Sequence, residues 1–200
     1  MFENNLTDCK CCRLHASAKT VGVNYRGAEN PHIMFVGIGP GPEEDEHGIN
    51  FYGRTGRLLE DCISKAGVRQ EYCAWDNVVK CFPNDSGQIR NPSKEERWSC
   101  APYLFRNIEK HDPKVIIPLG NIALFALTGL KGITKYRGQR FIRRIGSKDR
   151  VIVPSFHPAS ALRGQAGNKD FGVDPEFETT RDRKERRVGK ECRSRWSPYH

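Results

Sequence analysis

The sequence predicts an α/β domain built on a parallel sheet of four strands. Three observations carry this expectation. Four short runs rich in apolar and β-branched residues stand at Ile33–Val36, Asn77–Lys80, Val115–Leu119 and Val151–Val153, and buried parallel strands read as such runs. Between the runs lie stretches with apolar residues at helical spacing, the alternation an α/β fold requires. The runs break off in loops of Gly, Pro, Asn and Ser, and the functional sites of open α/β sheets lie at such strand ends.

The N-terminal segment Asp8–Leu14 reads D-C-K-C-C-R-L. Cys9 and Cys12 form a C-x2-C pair, a common half of a four-thiolate metal site. Cys81 and Cys100 are the candidates for the other half; Cys62 falls on the apolar face of a helix, where a thiol is ordinary packing. Spacing alone leaves zinc, a [4Fe-4S] cluster and a set of unligated buried thiols all open. A site from 9, 12, 81 and 100 would pin the N-terminal arm onto the second strand.

Strand one ends at Gly37 in a stiff loop with Gly39, Pro40, Gly41 and Pro42, followed by the acids Glu43–Glu46 and the aromatic Phe51. This is a poor phosphate loop. It matches neither GxGxxG nor GxxxxGK[ST], its prolines offer no N–H, and four acids would repel an anion. A helix follows from about Thr55 to Ala66, stopped by Gly67. Strand two, Asn77–Lys80, opens a Pro/Asn/Gly-rich loop from Cys81 to Pro92. Ser93–Glu96 is a capping-box pattern starting a long helix to about Lys110. After strand three, Gly120-Asn121 leads into an apolar helix ending near Leu127, then a basic stretch through Arg150. Strand four runs into Pro154–Ser160, which holds His157. Right-handed crossovers bring the ends of strands one, two and four to one sheet edge. Glu44 or Asp45, Phe51, Asn77 and His157 would meet there, and a carboxylate, an aromatic plate, an amide and an imidazole can hold a flat heterocycle.

A chain of 200 residues suits one domain with extensions. Its net charge of +9 is uneven: residues 181–200 hold eight Lys/Arg against three acids, leaving the rest mildly basic. Arg187–His200 resembles the conceptual translation of a sequencing-library adapter, so 181–200 is expected to be a disordered foreign tail on a domain spanning 1–180; a basic nucleic-acid tail is the rival reading. Residues 1–5 lack the basic start and apolar core of a signal peptide, and the longest apolar stretch, Val115–Leu127, is interrupted by Pro118 and Gly120. No membrane association is expected. The protein is expected to be cytoplasmic, near the nucleoid or encoded by a phage, where thiols more often bind metal than form disulfides.

These motifs together resemble the uracil-DNA glycosylase superfamily, closest to the thermostable-type family four enzymes. The matching stretches are Cys9–Leu14, GIGPGPEEDEHGINFYGRTGRLL at Gly37–Leu59, NVVKCFP at Asn77–Pro83, Cys100-Ala-Pro102, PLGNIA at Pro118–Ala123 and SFHPASALR at Ser155–Arg163. The resemblance implies three α/β/α layers around a four-stranded parallel sheet. It implies a [4Fe-4S] cluster on Cys9, Cys12, Cys81 and Cys100 pinning the N-terminal arm. It implies removal of uracil from single- or double-stranded DNA by a monomer. Gly37, Gly39, Pro40 and Gly41 would then line the substrate, Phe51 would stack on the flipped uracil and Asn77 would pair with its edge. His157 would face the uracil O2, and Glu44 would polarise or orient water. Ser155, Ser160, Leu162 and Arg163 would contact DNA. The sequence departs from the family at Ile38, where the family usually carries Glu, in a slightly long Cys81–Cys100 spacing, and in a poorly matched final helix.

Blander roles stand beside these. Phe51 can be core, Asn77 a turn cap, His157 a packed histidine, Glu44 part of a solvated acidic loop and Leu162 helix core. The basic stretch 137–150 can contact phosphates or form a solvated hairpin. At the level of function, the alternative to a glycosylase is a catalytically weak module that binds uracil or flipped bases, once part of a replication protein. A zinc-bearing nucleic-acid domain is a third reading.

Overall fold

The computed structural model describes residues 6–160. One compact unit ends at Ala159; the next begins at Ser160, and the expected boundary at 180/181, with Leu162 and Arg163, lies outside the described residues.

In chain order, a single 3-10 turn (Arg13–Ala16) precedes β1 (Arg26–Gly27) and β2 (Ile33–Gly37). Next come α1 (Pro42–His47), α2 (Arg54–Lys65), β3 (Cys73–Asn77) and the small hairpin β4 (Asn84–Asp85) and β5 (Gln88–Ile89). Then follow α3 (Lys94–His111), β6 (Val115–Pro118), α4 (Asn121–Thr128), α5 (Ile133–Tyr136), β7 (Phe141–Ile145) and β8 (Lys148–Ile152). The main sheet runs β1-β3-β2-β6-β8-β7. Its four inner strands are parallel, as expected. The edge strands β1 and β7 are additions, each antiparallel to its neighbour.

Period-two alternation along β2 divides the core into two layers. Met34 and Val36 join Leu104 and Ile108 of α3 and Ile122 and Leu127 of α4 in one buried cluster. Phe35 joins Leu59 and Ile63 of α2, with Trp75, in the other. Helices therefore cover both faces, which is the three-layer arrangement.

Three boundaries differ from the sequence expectation. Strand two is Cys73–Asn77 rather than 77–80. Asp76 and Asn77 are weak strand formers, but here both are buried and bonded, so tertiary contacts override propensity. Val78 and Val79 still donate to the carbonyls of Gly37 (3.0 Å) and Ile38 (3.0 Å), extending the pairing into the loop. The acids expected in a loop form α1, with Pro42 in its first turn and Gly48 (φ +69°) ending it. Strand four begins at the charged Lys148, because β8 is the inner arm of a hairpin with β7. The capping box at Ser93 is present: Ser93 Oγ accepts from Glu96 N at 3.2 Å and Glu96 Oε2 accepts from Ser93 N at 2.7 Å.

Candidate active site

The carboxyl ends of the inner strands lie in register. Gly37 pairs with Asn77 and Val36 with Pro118. Beyond β8 the chain stays on β6 through a parallel bridge from Leu119 to Ser155, with Gly120 N donating to Ser155 O and Ser155 N to Pro118 O, both at 2.9 Å. Asn77, Gly37, Gly120 and the His157 loop thus follow one another along one edge.

Gly37 is the centre of this edge. A Cβ there would stand 2.4 Å from Asn77 Oδ1 and 2.8 Å from Phe51 Cζ. Only glycine lets the amide oxygen and the ring tip approach the same point. Phe51 is buried in the cluster with Phe35, Leu59 and Trp75, so it is a core residue whose tip reaches the site. Its φ of +54° is left-handed, a conformation that costs a bulky residue of order 1–3 kcal/mol. Two contacts hold it there. A Cβ on Gly56 would lie 1.8 Å from Phe51 O, so α2 begins pressed on this carbonyl. Arg26 Nη1 donates to the carbonyls of Asn50 (2.9 Å) and Phe51 (3.2 Å), while its guanidinium lies over Trp75, 4.7 Å from the ring centroid.

Asn77 is 2% exposed. Its Nδ2 donates to Asn50 Oδ1 at 2.7 Å, and its backbone N donates to Asp76 Oδ1 at 2.7 Å. Asp76 and Lys80 form a fully buried ion pair, and Lys80 Nζ also donates to Asn77 O at 3.0 Å. Asn107 Nδ2 completes the satisfaction of Asp76 at 2.9 Å. The half-buried His157 accepts a hydrogen bond from Ala159 N at Nδ1 (3.3 Å). In the neutral imidazole the proton then sits on Nε2, which can donate. Gly120 is in the left-handed region (φ +86°), and a Cβ there would lie 3.5 Å from His157 Cβ, so this turn lies against the His157 loop.

Glu44 is buried, and both its oxygens are engaged: Oε2 accepts from Gly41 N and Oε1 from Gly53 N, each at 2.9 Å. It staples the glycine loop to the start of α2. Asp45 accepts from Lys19 N (3.0 Å) and Thr20 N (3.1 Å), tying the N-terminal segment to α1. Gly39 is pressed against Val79, where a Cβ would lie 2.6 Å from Cγ2, and Pro40 is buried. Ile38 packs on the main core. Ser155 and Ser160 are exposed. Sequence reasoning missed Asn50, Arg26 and the Asp76–Lys80 pair. The adjacency of Asn50 to Phe51 and the i,i+4 spacing of Asp76 and Lys80 carried a signal; Arg26 is brought in through the sheet.

Cys9, Cys12, Cys81 and Cys100 line one cavity together with Leu6, Tyr103 and others. All are free thiols. Burial pushes Cys81 up to about 11 and Cys100 up to about 12, and it raises Cys12 as well. Lys80 N donates to Cys100 Sγ at 3.2 Å and Tyr103 Oη to Cys9 Sγ at 3.5 Å. Among the described residues no group of three or more Cys, His, Asp or Glu is arranged to hold a single metal ion. Four cysteines around one cavity, with donors aimed at the sulfurs of Cys9 and Cys100, are a donor set that suits a thiolate-bound metal group. Cys11, exposed, also borders the cavity.

Residues 25–175 match the family model of the uracil DNA glycosylase superfamily. The chain is 41% identical to a type-4 uracil-DNA glycosylase of Thermotoga maritima, over 79% of this chain and 80% of that protein. It is 35% identical to a type-4 uracil-DNA glycosylase of Sulfurisphaera tokodaii, over 80% of this chain and 74% of that protein. A DNA polymerase of Bacillus phage SP01 is 27% identical over 74% of this chain, which corresponds to 15% of the polymerase. With the motifs along the sheet edge and matches of this extent, the chain belongs to the uracil DNA glycosylase superfamily.

Proposed function

We propose that this protein is a DNA repair glycosylase that hydrolyses the N-glycosidic bond of uracil in DNA and leaves an abasic site. The observation that carries the reading is the meeting of the Asn77 amide oxygen and the Phe51 ring tip over Gly37, on the edge that also bears His157. The target base is inaccessible in a duplex and must be flipped out, at a cost of a few kcal/mol. Stacking on Phe51 returns about 1–3 kcal/mol. Asn77 offers Oδ1 to the uracil N3–H and an Nδ2 proton to O4, and cytosine presents the reverse pattern. As the bond breaks, negative charge grows on uracil. His157, with its proton on Nε2, donates to O2; a preorganised donor of this kind is worth about 3–4 kcal/mol.

Glu44 acts first through the loop it staples, holding Gly41 and Gly53, and each oxygen keeps a second lone pair for a water near the sugar. Ser155, Ser160, Leu162 and Arg163 contact the DNA backbone or the opened duplex. Cys9, Cys12, Cys81 and Cys100 hold a [4Fe-4S] cluster, which supplies a structural cross-link between the N-terminal arm, the loop after β3 and α3. The protein works as a monomer on DNA, in the cytoplasm.

The test is single-turnover cleavage of a labelled oligonucleotide bearing one uracil, using anaerobically purified protein. Wild type should form the abasic site, His157→Ala should lose at least a hundredfold in rate, and Asn77→Asp should gain cytosine excision. A wild type with a full iron complement that binds the oligonucleotide and leaves it intact would refute the enzyme. Ile38, which turns an apolar side chain into the core where the family usually has Glu, would then support a module that only binds flipped bases.

A further inference from the structure

Asn77 can discriminate uracil from cytosine only if its amide is held in one rotation. Turned by 180°, the same side chain would present Nδ2 where uracil needs an acceptor, and it would pair with cytosine instead. Something must therefore hold the amide, and the structure contains a chain of groups able to do so.

The chain begins at a backbone carbonyl. Asn24 O can only accept, and Asn50 Nδ2 donates to it. With its nitrogen committed to Asn24, the Asn50 amide turns Oδ1 toward Asn77. That oxygen can only accept, so Asn77 must turn Nδ2 toward it, as it does at 2.7 Å. Asn77 Oδ1 is thereby left facing the space over Gly37. Asn50 is 1% exposed, so no bulk water competes for either end of its amide. Asn24 is fixed in turn: its Oδ1 accepts from Asn107 Nδ2 at 2.8 Å, and Asn107 also holds Asp76 beside Asn77.

We propose that Asn50 is a specificity-positioning residue, which transmits the polarity of the Asn24 carbonyl to the Asn77 amide and so locks it in the uracil-reading rotation. The proposal rests on the reading of Asn77 as the group that meets the base. Asn50 touches no substrate; it acts through Asn77.

The test compares wild type, Asn50→Ala and Asn50→Asp for binding to fluorescent single-stranded oligonucleotides. Each carries one 2′-fluoro-deoxyuridine or 2′-fluoro-deoxycytidine, the fluorine opposing positive charge on the sugar so that the base stays attached. Asn50→Ala should lower the uracil-over-cytosine preference about tenfold, equivalent to about 1.4 kcal/mol. Asn50→Asp should keep it within about twofold, because a buried carboxyl that keeps its proton donates its O–H to Asn24 O and turns its other oxygen, an acceptor, toward Asn77. A smaller folded fraction would lower affinity for both bases alike and would not move this ratio, and circular dichroism of each variant shows that a folded fraction is present. An unchanged ratio in Asn50→Ala overturns the lock. A wild type that prefers uracil in these probes but leaves the unmodified uracil oligonucleotide of the excision assay uncut refutes the enzyme and supports the lock, provided the Asn50→Ala ratio falls. A wild type with no preference overturns the lock together with the role of Asn77. Should Asn50→Ala not fold, hydrogen exchange of the Asn77 side-chain amide in wild type decides: protection of one proton supports the lock, and fast exchange of both overturns it.

Discussion

At Gly37 a missing side chain is as consequential as any present one. The Asn77 oxygen and the Phe51 tip converge on the volume a Cβ would fill. Neither neighbour can withdraw easily: Asn77 is tied to Asn50, and Phe51 is pinned through its backbone by Arg26 and by the close approach of Gly56. Gly37→Ala should therefore fold but displace the reading groups by a few tenths of an ångström or more. Misplacement approaching 1 Å costs about a hundredfold in rate, so single-turnover uracil excision should fall by that order. The melting temperature should drop by only a few degrees. Gly87→Ala, strained by its φ of +83° but with nothing within 4 Å of its Cβ position, should lower stability and leave the excision rate unchanged.

At the scale of elements, the N-terminal arm is held by ties of different chemistry, and they can be separated. One is the proposed cluster on Cys9, Cys12, Cys81 and Cys100. A second is Asp45, which receives Lys19 N and Thr20 N. A third is Glu96 of α3, which joins Arg13, next to Cys12, at 2.8 Å and takes two parallel bonds from Arg90, both 2.7 Å. Burial alone would raise the Glu96 carboxyl, but the hydrogen bonds from Arg90 and Arg13 outweigh it and hold the group at about 2, below its ordinary 4.5. A depressed folded value means that stability from this tie is complete above pH about 4.5 and is lost as the pH falls from there through about 2. The urea midpoint of the wild type should decline across that window. Glu96→Gln should start lower, by about 3 kcal/mol for a broken buried pair, and decline less steeply. Iron chelation at pH 7 should expose the segment around residues 9–12 to protease first, while the sheet stays folded. The motif cysteines, the capping box and the inner strands were legible in the sequence because each depends on local spacing. The position of β3 was not, since Asp76 and Asn77 become strand residues through the nearby Lys80 together with Asn107 and Asn50, which come from other parts of the chain.

At the scale of the molecule, residues 181–200 carry five of the nine net positive charges, so total charge does not say which cations meet DNA. The structure sorts the basic stretch that sequence alone left undivided. Arg150 is buried and bonded to Asp112 at 2.6 Å and Pro113 O at 3.2 Å; Lys148 meets the same Asp112 at 2.5 Å, and Arg144 lies 3.9 Å from Asp149. These cations serve the hairpin and its contact with the end of α3. Arg137 is different. It is exposed, its guanidinium stacks 4.7 Å above the ring of Phe156, the residue before His157, and the neighbouring Gly138 N donates to Pro154 O at 2.9 Å. Its charge therefore sits beside the His157 loop, where the phosphates flanking a flipped nucleotide would pass. Each phosphate neutralised contributes about −0.7 to the slope of log affinity against log salt for single strands and about −0.9 for duplex. Arg137→Gln should weaken binding to uracil-containing and undamaged oligonucleotides equally and make the salt slope shallower by about one contact. Arg150→Gln should leave the slope unchanged and lower the unfolding free energy by about 1–3 kcal/mol, the cost of leaving buried partners unpaired. Salt titrations of fluorescence anisotropy on both variants, with urea melts alongside, separate the two outcomes. Equal slopes for wild type and Arg137→Gln would remove Arg137 from the DNA face and reduce the hairpin to a structural edge of the sheet.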